Sequence, residues 1–270
     1  MIILFGIPQW ADWKTCFNKL PHTIHFLALD NINTTIDYII EHKIELLIPC
    51  TFEQMFFTID HTEQLSQYVK IICNKDKETI KLLDNKYEFY DYMIKNNFNK
   101  YIPKLFISNC KNKIVVHHRP KFPCIFKLNQ DYGGGSSFVI TDQNKLSETF
   151  KTKKINYVVQ QYISDVNEYG GHFYTLNGDI KHFVIYVTIN NQQHYIQHSK
   201  MIKYDKLTNG ICLDEFAKIF KKLNFSGFTC VNFKYTNNKL KIFEINPRFG
   251  GTIVHNSADL TEIISICIQQ

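Results

Sequence analysis

Short apolar runs in the first quarter of the chain constrain its fold more than any other feature. They lie at residues 2–5, 23–29, 44–49 and 69–73. Continuous apolar runs of this length are typical of parallel strands that are buried on both faces. Between the second and third runs, Asn33 can cap a helix whose apolar face includes Ile36 and Ile40, which gives a βαβ unit. We therefore expect a small α/β domain over residues 1–75.

The pattern changes after residue 75. Residues 76–97 form a helical pattern that Pro103 ends, and a mixture of strand and helix signals continues to residue 163. Farther on, strand signals recur at residues 173–176, 180–189, 194–202, 230–235 and 240–245. A TNNK turn joins the last two, and helices at 213–223 and 255–268 are expected to cover one face of an antiparallel sheet. The sequence thus predicts an α+β unit with a linker helix over 76–163 and an antiparallel-sheet unit over 164–270.

Charge and cysteine content narrow the class of protein. The 31 basic and 25 acidic residues leave a formal charge of +6, and the basic residues are scattered along the chain. A scattered excess of this size argues against nucleic acid as a partner. The eight cysteines include no CxxC pair, and no apolar run has membrane-spanning length. We expect a soluble cytoplasmic protein with reduced thiols and no membrane partner, and a homodimer is compatible with this class.

Several common catalytic signatures are absent from the sequence. It contains no GxxxxGK[ST] or GxGxxG loop, no GxSxG nucleophile motif and no HExxH metal motif, which argues against the enzyme classes that depend on them. His194 and His198, in HYIQH, have the spacing of metal ligands. Because no cysteine or clear third ligand accompanies them, a half-buried pair on a strand explains them better than a zinc site.

A glycine-rich segment follows a lysine at the end of an apolar run. Lys127 ends FPCIFK, and DYGGGSSF comes shortly after it, with Gly133, Gly134, Gly135 and Ser136 at its centre. Backbone amides of such a loop can approach phosphate closely because no side chain projects from a glycine Cα, and the lysine can neutralise phosphate oxygens. Taken alone, the segment fits an ordinary glycine hairpin equally well.

The segment KLKIFEINPRFGG carries Glu244, Asn246 and Arg248 at alternate positions near the end of a strand. A period of two places these side chains on one face, with Ile245 directed inward. Carboxylate and amide oxygens at this spacing can hold Mg²⁺, a hard cation that shares its coordination with substrate phosphates. A solvated strand would show the same alternation, but the apolar residues on both flanks favour a covered site.

The use of arginine supports a special role for Arg248. Only Arg119 and Arg248 are arginines among the 31 basic residues, so lysine is the default cation of this chain. A planar guanidinium at position 248 indicates that a bidentate contact is needed there. Phosphoryl or acyl-phosphate oxygens fit such a contact.

Together these segments resemble an ATP-grasp enzyme, and most closely the ATP-grasp units of the carbamoyl-phosphate synthase large chain. The resemblance runs over residues 82–252. EINPR is its most specific motif, FPCIFK with the glycine loop is the next, and the motifs follow the family's order. The resemblance implies an ATP-grasp fold of mixed α/β and α+β class. ATP would lie between two α+β subdomains, after a truncated Rossmann-like (pre-ATP-grasp) domain.

The resemblance also assigns residues to the nucleotide. It places Lys86 and Lys127 on the phosphates of ATP, with the loop at 133–137 closing over them and His198 on the phosphate side. Backbone groups of Gln161 and Ile163 would meet the adenine. Glu168 would hold the ribose hydroxyls.

Metal ligands and catalytic residues follow from the same resemblance. Glu244, Asn246 and Asn232 would hold Mg²⁺, or Mn²⁺ in its place, and Arg248 and Lys127 would be catalytic. Relatives carry Gln, Asp or Glu where this chain has Asn232. An amide oxygen binds Mg²⁺ without contributing charge, so we expect the first metal to be held more weakly.

The implied reaction is an ATP- and magnesium-dependent, ADP-forming ligation of a small-molecule carboxylate to an amine. The carboxylate would attack the γ-phosphate to give an acyl phosphate, which the amine then converts to product with release of phosphate. Positioning and charge neutralisation suffice for this chemistry, so no side-chain nucleophile is needed. The alternatives are a nucleotide-binding protein with weak or no turnover, and a small-molecule kinase with a hydroxyl acceptor.

Overall fold

The computed structural model describes residues 1–111, 113–130, 137–152, 156–164, 167–189, 203–207 and 211–270. These residues form three sheets, of four, five and five strands. Each sheet is built from one continuous part of the chain.

The first sheet is parallel, as the apolar runs predict. Its strands are β1 (Ile2–Gly6), β2 (Thr23–Leu27), β3 (Leu46–Ile48) and β4 (Lys70–Ile71), in the spatial order β2-β1-β3-β4. The helices of this region are α1 (Asp12–Phe17), α2 (Ile32–Glu41), α3 (Phe52–Asp60) and α4 (Thr62–Leu65). The predicted cap of α2 at Asn33 is wrong, because Asn31 is extended and its side chain accepts from the backbone N–H of Thr34.

The helical segment after the first sheet is broken into two. Helices α5 (Lys77–Asp84) and α6 (Lys86–Lys95) meet at Asn85, whose backbone is extended and whose side chain caps α6. The single helix predicted over 76–97 is therefore wrong. Asparagine offers the backbone a local hydrogen bond that competes with helix continuation, and this competition places the break. A 3₁₀ turn at Asn99–Tyr101 follows.

The second sheet is antiparallel. Its strands are β5 (Leu105–Cys110), β6 (Lys113–Val116), β7 (Cys124–Leu128), β8 (Phe138–Ile140) and β9 (Tyr157–Gln161), in the order β6-β5-β9-β7-β8. Helix α7 (Gln143–Thr152) covers one face, where Leu146 packs with Phe126 and Tyr157. Edge strand β6 is absent from the sequence prediction. Its Ile114 and Val116 are exposed, so it lacks the pattern of a half-buried strand.

The third sheet is also antiparallel and follows the order β12-β11-β10-β13-β14. Its strands are β10 (Asn167–Leu176), β11 (Asp179–Ile189), β12 (Lys203–Lys206), β13 (Gly227–Thr236) and β14 (Lys239–Asn246). The predicted turn between the last two is confirmed, with Asn237 and Asn238 both at positive φ. The strand predicted over 194–202 lies outside the described residues.

The helices of this region lie on opposite faces of the third sheet. They are α8 (Leu213–Leu223), α9 (Gly251–Val254) and α10 (Ser257–Gln269). Phe173 packs with α8, whereas its neighbour Tyr174 packs in the cluster that includes α10. Adjacent residues of a strand point to opposite faces, so the expectation that both long helices cover one face is wrong.

One hydrophobic core joins the beginning and the end of the chain. Phe5 and Phe17 from the first sheet region lie in the same buried cluster as Phe249, Val254 and residues of α10. All eight cysteines fall within the described residues and are free thiols. Among the described residues, no helix combines the length and apolar character needed to cross a bilayer.

Candidate functional site

The site is built on the hairpin of β13 and β14. Asn232 lies opposite Glu244 and Cys230 lies opposite Asn246, with a bulge at Asn232/Phe233 where the register shifts. The bulge interrupts strict alternation in β14, because Ile242 and Ile245 are both fully buried while the two residues between them are partly exposed. It therefore keeps Glu244 on the open face instead of in the core.

Glu244 is the centre of a cluster of polar side chains. Its Oε1 accepts from Asn232 Nδ2 at 2.8 Å and from Asn246 Nδ2 at 3.2 Å. Burial raises the pKa of this carboxyl. The charges of Lys86, Lys127 and Arg248, with the hydrogen bond from Asn246, together outweigh burial, so the pKa lies below its ordinary value. The residues predicted as metal ligands thus meet around one ionised carboxylate.

Lys86 reaches the other oxygen of this carboxylate. Its Nζ lies 3.7 Å from Glu244 Oε2, and its side chain is 9% exposed. The break at Asn85 makes Lys86 the first residue of α6, and its backbone N–H donates to Asn129 O at the end of β7. The α5–α6 junction is therefore attached to the strand that carries Lys127.

Lys127 lies beside Phe243, with Nζ 4.9 Å from the ring centroid. Burial, with smaller contributions from the charges of Lys86 and Lys234, lowers the pKa of Lys127 to about 8 against the opposing charges of Glu244 and Glu168. An ammonium in this environment gains most from a new anionic partner. Phe243 was not singled out from the sequence, because strict alternation would have directed it away from Glu244.

Glu168 and Lys234 form a second charged group at the connection between β9 and β10. Burial raises the pKa of Glu168, and the largest opposing effect is the charge of Lys234. Lys234 is buried, and its Nζ donates to Ile163 O at 3.1 Å. Lys234 is not among the residues predicted for the site, because in the sequence it is only a lysine two positions after Asn232 in the same strand. It joins the third sheet to the segment predicted to meet adenine.

Gln161 takes part in the second sheet. Its backbone N–H donates to Lys104 O at 2.8 Å, and its side-chain Oε1 accepts from Lys104 N at 3.3 Å. The Ile163 carbonyl accepts the hydrogen bond from Lys234 Nζ. The glycine loop at 133–136 and His198 lie outside the described residues, so their predicted roles stay predictions.

Arg248 lies on the side of the site formed by the first sheet region. Its guanidinium carbon is 5.4 Å from the Trp10 ring centroid and 5.9 Å from that of Phe52. Its charge helps to lower the pKa of Glu244. After Arg248 the backbone passes close to the sheet, since a Cβ on Gly250 would clash with Cys230 Sγ. Two aromatic faces thus hold the guanidinium next to the cluster.

The donor set suits a magnesium ion that is shared with phosphate. One carboxylate and two amide side chains meet at Glu244, and oxygen atoms are the ligands that Mg²⁺ prefers. In the described ranges there is no group of three or more His, Cys, Asp or Glu side chains that could hold a metal. The protein oxygens here therefore fit a metal that completes its coordination with the oxygens of a bound phosphate.

Comparison with known proteins agrees with this geometry. Residues 83–252 match the ATP-grasp domain family. The structure is similar to D-alanine–D-alanine ligase from Bacillus anthracis complexed with ATP, with a TM-score of 0.64, 13% identity and coverage of 100% of this chain and 97% of that one. No sequence among curated proteins matches the chain.

Two further solved structures show the same likeness. L-amino acid ligase from Bacillus licheniformis has a TM-score of 0.65 and 11% identity, over 94% of this chain and 68% of that one. N5-carboxyaminoimidazole synthase from Aspergillus clavatus, in complex with ADP and 5-aminoimidazole ribonucleotide, has a TM-score of 0.60 and 12% identity, over 98% and 76%. These likenesses confirm the predicted fold class, and the matched residues include every element that carries the cluster around Glu244. The chain belongs to the ATP-grasp domain family.

Proposed function

We propose that this protein is an ATP- and magnesium-dependent ligase that joins a small carboxylate to an amine through an acyl phosphate and releases ADP. One observation carries the proposal. Lys86, from the start of α6, and the hairpin carboxylate Glu244 meet at 3.7 Å beside Lys127 of the second sheet. Elements from three parts of the chain thus bring cations and oxygen ligands together, which is what phosphoryl transfer requires.

Each group has a part in the proposed reaction. Lys86 and Lys127 bind phosphate oxygens and neutralise their charge, and Glu168 holds the ribose. Glu244, Asn232 and Asn246 hold the magnesium ion, which supplies charge neutralisation at the transferring phosphoryl group. Arg248, held between Trp10 and Phe52, directs two N–H donors toward the acyl-phosphate oxygens.

Amino acids are the first substrates to test. Two of the similar structures are named as ligases of amino acids, D-alanine–D-alanine ligase and L-amino acid ligase. At identities of 13% and 11% this likeness concerns the fold, so the substrate class is part of the proposal. The closer kinship to carbamoyl-phosphate synthase units, the domain boundaries at 75 and 163 and the cytoplasmic location stay predictions.

The decisive experiment traps the acyl phosphate. The protein is incubated with Mg-ATP, hydroxylamine and a panel of amino acids and sugar acids, and ADP and hydroxamate are measured together. Equal amounts of ADP and hydroxamate, both lost in Glu244→Gln, support the ligase. ADP without hydroxamate, formed only with a hydroxyl substrate, would instead identify a kinase.

A second candidate function is nucleotide binding with weak or no turnover. The observation in its favour is that Asn232, not a carboxylate, pairs with Glu244 at 2.8 Å, so the described residues give the metal cluster a single acidic side chain. An increase in melting temperature with Mg-ATP, without ADP from any member of the panel, would support this function over the ligase. No response of the melting temperature to Mg-ATP would exclude both.

A further inference from the structure

A cysteine, a histidine and an aspartate lie in line at the contact between α1 and α9, outside the nucleotide site. Cys16 Sγ is 3.3 Å from His255 Nδ1, and His255 Nε2 is 3.5 Å from Asp12 Oδ2. Asp12 and Cys16 are four residues apart in α1, so both side chains face the same partner. His255 follows the last residue of α9 directly.

This arrangement has the order needed to activate a thiol. A carboxylate at one ring nitrogen orients the imidazole, and the other ring nitrogen can take the proton of the thiol. The thiolate is the reactive form of cysteine, and an adjacent imidazolium stabilises it. Neither the nucleotide cluster nor the proposed ligation uses any of these three residues.

The position of the group allows a small reagent to reach it. Cys16 is only 7% exposed, but the side chains of His255 and Asp12 are 51% and 62% exposed. The thiol therefore lies one side chain below the surface. Two other buried thiols have no histidine partner of this kind among the described residues, since Cys50 Sγ donates to Ile48 O and Cys230 Sγ donates to Asn232 Oδ1.

We propose that Cys16 is a site of covalent modification by hydroperoxides, activated by His255 and oriented through Asp12. The Cys16 thiol gives its proton to Nδ1 of His255. The thiolate sulfur then attacks one peroxide oxygen, so that an S–O bond forms while the O–O bond breaks. The leaving hydroxide, or the alkoxide when the reagent is an organic hydroperoxide, takes the proton from the imidazolium and departs as water or alcohol. Sulfur is oxidised to a sulfenic acid and the peroxide is reduced, both by two electrons.

The experiment follows each cysteine of the full chain separately. The protein is treated with limiting hydrogen peroxide in the presence of dimedone, which traps sulfenic acids, and the adducts are quantified over time by peptide mass spectrometry. We expect Cys16 to react before Cys50 and Cys230. His255→Gln should slow the Cys16 reaction on the order of 10²-fold, since it removes the proton acceptor. His118→Gln, at an exposed histidine, is the matched control and should change nothing.

The direction of the His255→Gln effect separates activation from shielding. If the imidazole only covered the thiol, its removal would leave the Cys16 rate unchanged or raise it, and either result overturns the proposal. The proposal is also overturned if Cys16 of the wild-type protein reacts no faster than Cys50. Should His255→Gln fail to fold, Asp12→Asn decides. Slower labelling of Cys16 in that variant supports the proposal, and an unchanged rate overturns it.

Discussion

Lys86 Nζ and Glu244 Oε2 lie 3.7 Å apart, and the two residues come from the α5–α6 junction and from the bulged strand β14. This ion pair links two parts of the chain that are not joined by the hydrogen bonds of a common sheet. It holds the Glu244 carboxylate in place while the two asparagine side chains occupy the other oxygen. Changes at Glu244 therefore test the metal ligand and the cross-link at once.

Glu244→Gln should lower ADP formation on the order of 10²-fold or more, because the carboxylate at the centre of the cluster loses its charge. Magnesium-free ATP should still raise the melting temperature, since Lys86 and Lys127 remain. Turnover and thermal shift are measured on the same preparation. Glu148→Gln, on the exposed side of α7, is the control and should behave as wild type. Full turnover in Glu244→Gln would exclude this carboxylate as a ligand.

Asn232→Asp should have opposite effects with and without magnesium. When a chelator removes magnesium, the new carboxylate cannot donate the 2.8 Å hydrogen bond to Glu244 and is repelled by its negative charge. We therefore expect the free energy of unfolding to fall by roughly 1–3 kcal/mol. With Mg²⁺ the two carboxylates bind the cation together, and the variant should gain more stability than wild type. Denaturant unfolding in EDTA and in a magnesium series measures both effects. An identical magnesium dependence in the two proteins would show that Asn232 is not a ligand.

Lys127 should make ATP binding depend on pH. Burial first, with neighbouring cations, lowers the pKa of its ammonium to about 8, and bound phosphate should raise the pKa again. At pH values between the pKa of Lys127 in the free protein and its pKa in the complex, ATP binding takes up one proton. ATP affinity should therefore fall as the pH rises above about 8.

Calorimetry in buffers of different ionisation enthalpy measures this proton uptake. Lys127→Ala should bind ATP more weakly and lose the uptake near this pH. The same uptake in Lys127→Ala and in wild type would assign the proton to another group.

Lys234→Met should weaken ATP binding from a distance. The change releases the Ile163 carbonyl, which Lys234 Nζ now contacts at 3.1 Å, and removes the charge that best opposes the raised pKa of Glu168. We expect the affinity for adenosine to fall together with that for ATP, because both ligands use the ribose and adenine contacts. Titration calorimetry with the two ligands measures the effect.

Lys239→Met is the matched control for Lys234, since it removes an exposed lysine from β14 of the same hairpin. It should leave both affinities unchanged. If Lys234→Met binds adenosine normally and loses only ATP affinity, Lys234 acts as a phosphate-side cation and not at the β9–β10 connection.

Arg248→Lys should be poorly tolerated although it conserves charge. The lysine cannot stack between Trp10 and Phe52 or offer two N–H donors in a fixed plane. Turnover should fall on the order of 10²-fold with only a modest change in ATP affinity. Arg119→Lys, the other arginine and an exposed one, is the control. Near-normal turnover in Arg248→Lys would show that any cation suffices at this position.

The sequence is most informative where local patterns and tertiary structure agree. The parallel strands of the first sheet and the β13–β14 hairpin follow directly from apolar periodicity and the asparagine turn. The positions of Glu244 and Asn246 on one face were predicted from strict alternation. The structure keeps this alternation around buried Ile245, and the bulge at Asn232/Phe233 shifts the phase of the strand only between Ile242 and Glu244.

Features that depend on contacts between distant segments could not be predicted. At Asn85 the backbone can either continue one helix or cap a new one. The hydrogen bond from Lys86 N–H to Asn129 O stabilises the capped arrangement. Lys234 appears in the sequence as one more alternating polar residue of a strand. Only the tertiary structure shows that it is buried against the carbonyl of Ile163.

The core shared by the two ends of the chain has a consequence for synthesis on the ribosome. Phe5 and Phe17 pack in one cluster with Phe249 and α10, and Lys70 Nζ donates to the terminal carbonyls of α10 at Cys267 and Ile268. Strands β1 to β4 are made before α10, and until then α1 covers only part of one face of their sheet through Trp13 and Phe17. The hydrophobic core over the first sheet is therefore completed only when Phe249 and α10 have been made, and part of this apolar face stays exposed on the growing chain until then.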